Sequence, residues 1–149
     1  MRVALDTNVL VYAEGLDGSR RRAVALDLLE RLPQSETVIP VQALGELFNV
    51  LVRKAGKPRQ EARDIVLGWL NSFDTKETSI EVMVAATDVA RDHQFPIWGA
   101  VILAAASQAS CRVLLSEDLP SGFTWGGVTI VNPFASPRHS LLEALFAGS

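Results

Sequence analysis

The chain has 149 residues, of which 48% are hydrophobic and 21% charged. That is enough for one domain with a sizeable apolar core, taken here as residues 1–149, and it excludes a disordered chain. The formal net charge of −3 excludes whole-protein attraction to nucleic acid, so any such surface has to be local. A lone cysteine, Cys111, excludes an intramolecular disulfide and a cysteine-based zinc site.

The first apolar run, Val3-Ala4-Leu5, stops at Asp6-Thr7-Asn8. A short run without polar alternation reads as a strand buried on both faces of a parallel sheet. Ligands of such sheets bind beyond the carboxyl ends of the strands, which is where Asp6 falls. The plainer role of Asp6 is to end the strand and open a turn. The same break leaves no cationic, apolar signal-peptide start. The longest apolar stretch, residues 95–106, is too short to span a membrane, so a cytoplasmic location is expected.

Residues 9–12 begin a short helix, interrupted at Gly15-Leu16-Asp17-Gly18. Ser19 is positioned to cap a second helix to residue 31, with Ala23, Leu26 and Leu29 on its apolar face. Arg20-Arg21-Arg22 in its first turn opposes the helix dipole and reads as a solvated face or, less favoured, a phosphate contact. After the turn at Pro33-Gln34-Ser35 comes a strand over 37–39. Pro40 then opens a helix with Leu44, Leu47, Phe48 and Leu51 turned to the core. Glu46 is the only charge between Thr37 and Val52. An unpaired carboxylate in so apolar a segment is costly to bury, so it marks a functional position or an outer face.

The basic stretch Arg53-Lys54-Ala55-Gly56-Lys57-Pro58-Arg59 leads into a helix ending near Asn71. It suits a local nucleic-acid surface or an ordinary solvated connection equally. A weak strand is expected over 73–76. Thr78-Ser79-Ile80-Glu81 has capping-box form and opens a helix with Val82, Met83, Ala86, Val89 and Ala90 inward. His93 near its end and His139 in the tail have no catalytic neighbours in sequence. Residues 97–106 are apolar on all sides and predict a central buried helix. A strand over 112–115 follows and ends in Ser116-Glu117-Asp118, repeating the opening pattern. Gly122 and Gly126-Gly127 mark a loop, residues 128–131 a fifth strand, and residues 140–146 a last short helix. This alternation predicts an α/β fold with a central parallel sheet of about five strands and helices on both faces.

Asp6, Glu46 and the Glu117-Asp118 pair all fall at the carboxyl end of the sheet. Carboxylates gathered without basic partners repel and raise one another's pKa, so a cation is the natural partner. Oxygen-only ligands favour Mg2+ or Mn2+, whose natural chemistry here is hydrolysis of a phosphodiester. No Gly-rich phosphate loop follows any strand, and no Ser/His/Asp arrangement is visible.

Val3-Ala4-Leu5-Asp6-Thr7-Asn8, the segment from Pro40 to Leu47 and Leu114-Leu115-Ser116-Glu117-Asp118-Leu119 resemble a PIN domain, most closely that of VapC-type toxin ribonucleases. Gly127-Val128-Thr129-Ile130-Val131-Asn132-Pro133-Phe134 is similar to the closing strand of one subgroup. The resemblance implies a three-layer α/β/α fold and a metal-dependent endoribonuclease acting on RNA. It also implies restraint by a VapB-like antitoxin and a homodimer. Position by position, Asp6, Glu46 and Asp118 match the catalytic and metal-binding acids. Ser116 matches the supporting hydroxyl and Asn8 the polar neighbour of the first acid, with Thr7 beside it. Glu117 is the less favoured alternative to Asp118. One position departs: the family's buried helix begins Trp-Asp-Ala, whereas this chain reads Trp98-Gly99-Ala100. The resemblance therefore implies a site short of one acid, with weakened Mg2+ binding and lowered activity. The alternative is an inactive PIN module that binds RNA or an antitoxin. A phosphatase using Asp6 as nucleophile fits less well, because such enzymes usually carry a second Asp where Asn8 stands.

Overall fold

The computed structural model describes residues 1–147. Val3, Ala4 and Leu5 have no polar side-chain atom, and they form β1 (Val3–Leu5) with no exposed surface. In chain order there follow α1 (Thr7–Ala13), α2 (Ser19–Arg31), a 3-10 turn (Gln34–Glu36), β2 (Thr37–Pro40), α3 (Val41–Arg53) and α4 (Arg59–Ser72). Next come β3 (Asp74–Lys76), α5 (Ile80–His93), α6 (Ile97–Gln108), β4 (Val113–Leu115), β5 (Thr124–Trp125), β6 (Val128–Val131) and α7 (Ser140–Ala147).

The sheet has six strands in the order β3-β2-β1-β4-β6-β5. All pairings are parallel except β5 with β6. The chain winds outward from β1 through β2 and β3, then crosses to β4 on the other side of β1. The boundary between β1 and β4 is thus a topological switch point, where open parallel sheets hold their ligands. Leu5 pairs with Leu115 across that boundary, so Asp6 and Ser116 leave the sheet side by side. The expected architecture stands, with six strands where about five were expected. The extra one is the two-residue β5, turned back on β6 through Gly126 and Gly127, whose φ angles of 57° and 80° suit glycine.

The inward stripe of α6, from Ala100 to Ala106, is buried and packs against β2, β4 and β6. Its opening turn is less enclosed than an all-apolar segment implies, for Trp98 is half exposed. Ala43, Leu44, Leu47 and Leu51 of α3 are buried, with Phe48 partly so. Two local expectations shift by a residue or more. Gly18, not Ser19, stands at the N-cap of α2, and the buried stripe is Ala25 and Leu28, while Ala23 and Leu26 face solvent. Ser79, not Thr78, caps α5 by accepting from the Val82 amide. Among the described residues no helix is long and apolar enough to cross a membrane.

Candidate active site

Asp6 takes both roles open to it. Its extended backbone ends β1, and Oδ1 accepts from the Thr7 amide at 2.7 Å, which caps α1. The other oxygen, Oδ2, accepts from the Ser116 hydroxyl at 2.7 Å and from the Asn8 amide at 3.3 Å. Three of roughly four acceptor positions are thus engaged by the chain itself. Ser116 is fully buried, and its oxygen also accepts from the backbone amides of Asp118 and Leu119, at 3.2 and 3.1 Å. This hydroxyl folds the loop after β4 back towards Asp6.

Asn8 ties the same two segments together. Its amide nitrogen also reaches Asp118 Oδ2 at 3.3 Å, while its oxygen accepts from the Glu117 amide at 3.1 Å. Glu46 comes from α3 and is half-buried, and its Oε2 accepts from the Thr7 hydroxyl at 2.8 Å. Asp6, Thr7, Asn8, Glu46, Ser116 and Asp118 are therefore brought into one connected cluster. No buried side-chain nitrogen or oxygen among the described residues lacks a hydrogen-bond partner.

Burial pushes the Asp6 carboxyl above its ordinary value, and Asp118 adds to the effect, against the Ser116 hydroxyl and Thr7 pulling it down. Burial also raises Glu46; the Thr7 hydroxyl opposes this, while Asp6 and Asp118 reinforce it. Charges with no countercharge behave this way.

Glu117 belongs to a different arrangement. It accepts from the Tyr12 hydroxyl and from Arg21 Nε, the latter at 2.8 Å. Burial works to raise its carboxyl, but Tyr12 and Arg21 outweigh it and hold Glu117 below its usual value. The Arg21 guanidinium also lies over the Tyr12 ring, 5.5 Å from its centre. The expectation of a merely solvated Arg20-Arg21-Arg22 run is corrected at Arg21, whose partner lies across the fold. Glu117 is thus a neutralised neighbour of the cluster, and Asp118 is the acid that borders the open cleft.

That cleft is a cavity of about 390 Å3, lined on α1 by Asn8, Val11 and Tyr12 and on α3 by Glu46, Asn49, Val50 and Lys54. Both sets follow the i, i+3, i+4 spacing of one helix face. That periodicity, counted from Asn8 and Glu46, is the signal in the sequence that points to Tyr12 and Lys54.

Gly99 lies in the first turn of α6. A Cβ built there would point at Leu119 Cδ2, 2.8 Å away, with Pro96 Cγ at 3.4 Å. Leu119 directly follows Asp118 in sequence, but neither Gly99 nor Leu119 is among the residues that line the cleft. The chemistry of the donors suits a hard divalent cation, being carboxylate and hydroxyl oxygen throughout. Their arrangement does not: among the described residues no three His, Cys, Asp or Glu side chains are placed to hold a metal ion together.

A parallel α/β sheet with an acidic cleft at its switch point defines the class. Residues 3–119 match the PIN domain, and the chain belongs to that family, a family of nucleases that typically use divalent metals. Its structural neighbours are VapC toxins of toxin–antitoxin pairs. VapC20 of Mycobacterium tuberculosis, described as a sarcin-ricin loop cleaving toxin, superposes with a TM-score of 0.66 at 15% identity, over 78% of this chain and 89% of that one. A toxin–antitoxin complex from Klebsiella pneumoniae gives 0.66 at 21% identity, over 88% and 97%. FitAcB from Neisseria gonorrhoeae gives 0.63 at 16%, over 89% and 98%. No curated protein matches the chain.

Proposed function

We propose that this chain is a toxin-type endoribonuclease of the PIN family whose RNA cleavage is impaired by Gly99. Mg2+ (or Mn2+) is its expected cofactor, with Asp6, Glu46 and Asp118 as the acids that would meet it. The observation that carries the reading is the hydrogen-bonded cluster that brings Asp6, Glu46 and Asp118 together where β1 and β4 end. A side chain at position 99 would meet Leu119, the residue after Asp118, and glycine supplies no carboxylate there. RNA as substrate is supported by the description of VapC20, and an antitoxin as partner, expected to be VapB-like, by the Klebsiella toxin–antitoxin complex. A homodimer, one domain over residues 1–149 and a cytoplasmic location complete the proposal.

Asp6, Glu46 and Asp118 bring carboxylate oxygens, while Ser116, Asn8 and Thr7 fix how those oxygens point. The absence of a three-donor metal cluster among the described residues favours a second reading, an inactive PIN module that binds RNA or an antitoxin.

Cleavage of RNA by the parent protein beside Gly99→Asp, with and without Mg2+, separates the two. Removing even a supporting group typically costs 10–100-fold in metal affinity or activity, so restoring a carboxylate should raise Mg2+-dependent cleavage by about 100-fold or more. Gly99→Ala meets Leu119 in the same way and should gain nothing. The atom in the way is the far end of a flexible side chain, and a Gly99→Asp/Leu119→Ala form removes that contact as an obstacle. If neither Gly99→Asp nor the double variant cleaves better than the parent, the inactive-module reading replaces the first.

A further inference from the structure

The cavity beside the acids is electrically lopsided. Asp17, Glu46 and Asp118 line it, and among its lining residues Lys54 is the one cation. Lys54 is exposed and terminates α3 in helical geometry, its amide bonded to the Val50 carbonyl at 2.9 Å. It stands eight residues beyond Glu46 on the same helix, a displacement of about 12 Å along the axis. Glu46 and Lys54 therefore line the same groove at points well separated along α3.

A cation at a helix C-terminus is ordinarily explained by the helix dipole. Arg53 already occupies the last turn of α3, so that explanation does not account for a second cation on the cavity side. Nor is Lys54 held by a carboxylate. Lys57, three residues on, is paired with Glu61 at 3.3 Å, whereas Lys54 has no such partner among the described residues. Its ammonium is left for something that enters the groove. Proteins that follow a single strand do so by setting cations along the path of its phosphates.

We infer that Lys54 is a substrate-contacting residue, holding an RNA phosphate displaced along the strand from the phosphodiester at the acids. The inference rests on the RNA reading proposed above. It gives the groove a direction: the strand lies along the cavity face of α3, from Glu46 past Asn49 to Lys54.

The test is binding of a short, fluorescently labelled single-stranded oligoribonucleotide to the full chain. Anisotropy is followed across a series of KCl concentrations, in EDTA and again in Mg2+. Lys54→Gln should weaken binding about three- to tenfold and flatten the slope of log affinity against log salt by about 0.7, the value for one phosphate contact on a single strand. Lys54→Arg should keep both affinity and slope. Arg53→Gln, the adjacent cation outside the cavity lining, should bind like the parent. Equal affinity and slope for Lys54→Gln and parent overturn the inference and leave RNA binding standing, as does an equal loss in Arg53→Gln, which would mean diffuse attraction. If the parent binds no oligoribonucleotide in any condition, the RNA reading falls and the inference with it.

Discussion

The acidic cluster and the start of α6 are two sides of the molecule with opposite construction. Where β1 and β4 end, Asp6, Asn8, Ser116 and Asp118 are joined by hydrogen bonds of 2.7 to 3.5 Å, and Ser116 serves a carboxylate and two backbone amides at once. Where α6 begins, position 99 offers no polar atom, and its closest neighbours are the apolar ends of Leu119 and Pro96. On the first side folding and chemistry ask for the same residues, since burying those groups unpaired would be costly. On the second only chemistry asks for a carboxylate, and a glycine in the first turn is tolerable to the fold. Under the proposed function, a catalytic group is lost from the second side without disturbing the scaffold.

That contrast can be broken outright by restoring polarity to the bare side. In the Gly99→Asp background, Asp118→Asn should return Mg2+-dependent cleavage to the parental level, erasing a gain of about 100-fold. If Asp118→Asn leaves that gain intact, the two sides do not share a site.

The bonded side should be sensitive in stability, not merely in activity. Ser116→Ala leaves Asp6 Oδ2 with only its longer bond from Asn8 and orphans two backbone amides, at about 1–3 kcal/mol for each bond to the charged group lost or amide left unsatisfied. A loss of about 3 kcal/mol or more in urea denaturation is expected, against a much smaller change for Gly99→Ala.

The arrangement flanking the cleft offers a spectroscopic reading. Tyr12 is the only tyrosine in the chain. Burial, together with its bond to Glu117 and that group's charge, pushes its hydroxyl up to about 12. Tyrosinate absorbance should stay low through the usual tyrosine range and appear earlier in Glu117→Gln.

The smallest expected effect concerns Glu46. Burial raises its carboxyl above the ordinary 4.5, so the folded protein holds this proton more tightly than the unfolded chain. Its contribution is therefore fully present at low pH and is lost as pH rises from about 4.5 through the folded-state value. Glu46→Gln should abolish that dependence and raise the melting temperature at neutral pH in EDTA, most simply followed by thermal denaturation at several pH values.

Much of this was open to the sequence. A run without polar alternation located β1, and two isolated acids, Asp6 and Glu46, stood out because charge is so costly in apolar surroundings. What stayed hidden was geometry of a finer grain. In α2 the stripes Ala23-Leu26-Leu29 and Ala25-Leu28-Leu32 have nearly the same spacing, and only packing against the fold chooses between them. β5 spans two residues, too few for any periodicity to register. Arg21 reads as surface because its partner, Glu117, lies 96 residues further on, and the lack of a three-donor cluster depends on side-chain placement that spacing does not convey.

The Asp6 carboxylate that ends β1 also caps α1 and receives the Ser116 hydroxyl. A descendant of this chain that had given up cleavage would still be penalised for changing it. Persistence of Asp6 is therefore a record of architecture and no certificate of enzymatic life. Under the proposed function, the residue that reports on whether such a protein still cuts RNA is the one at position 99, where a side chain has only the flexible end of Leu119 to displace.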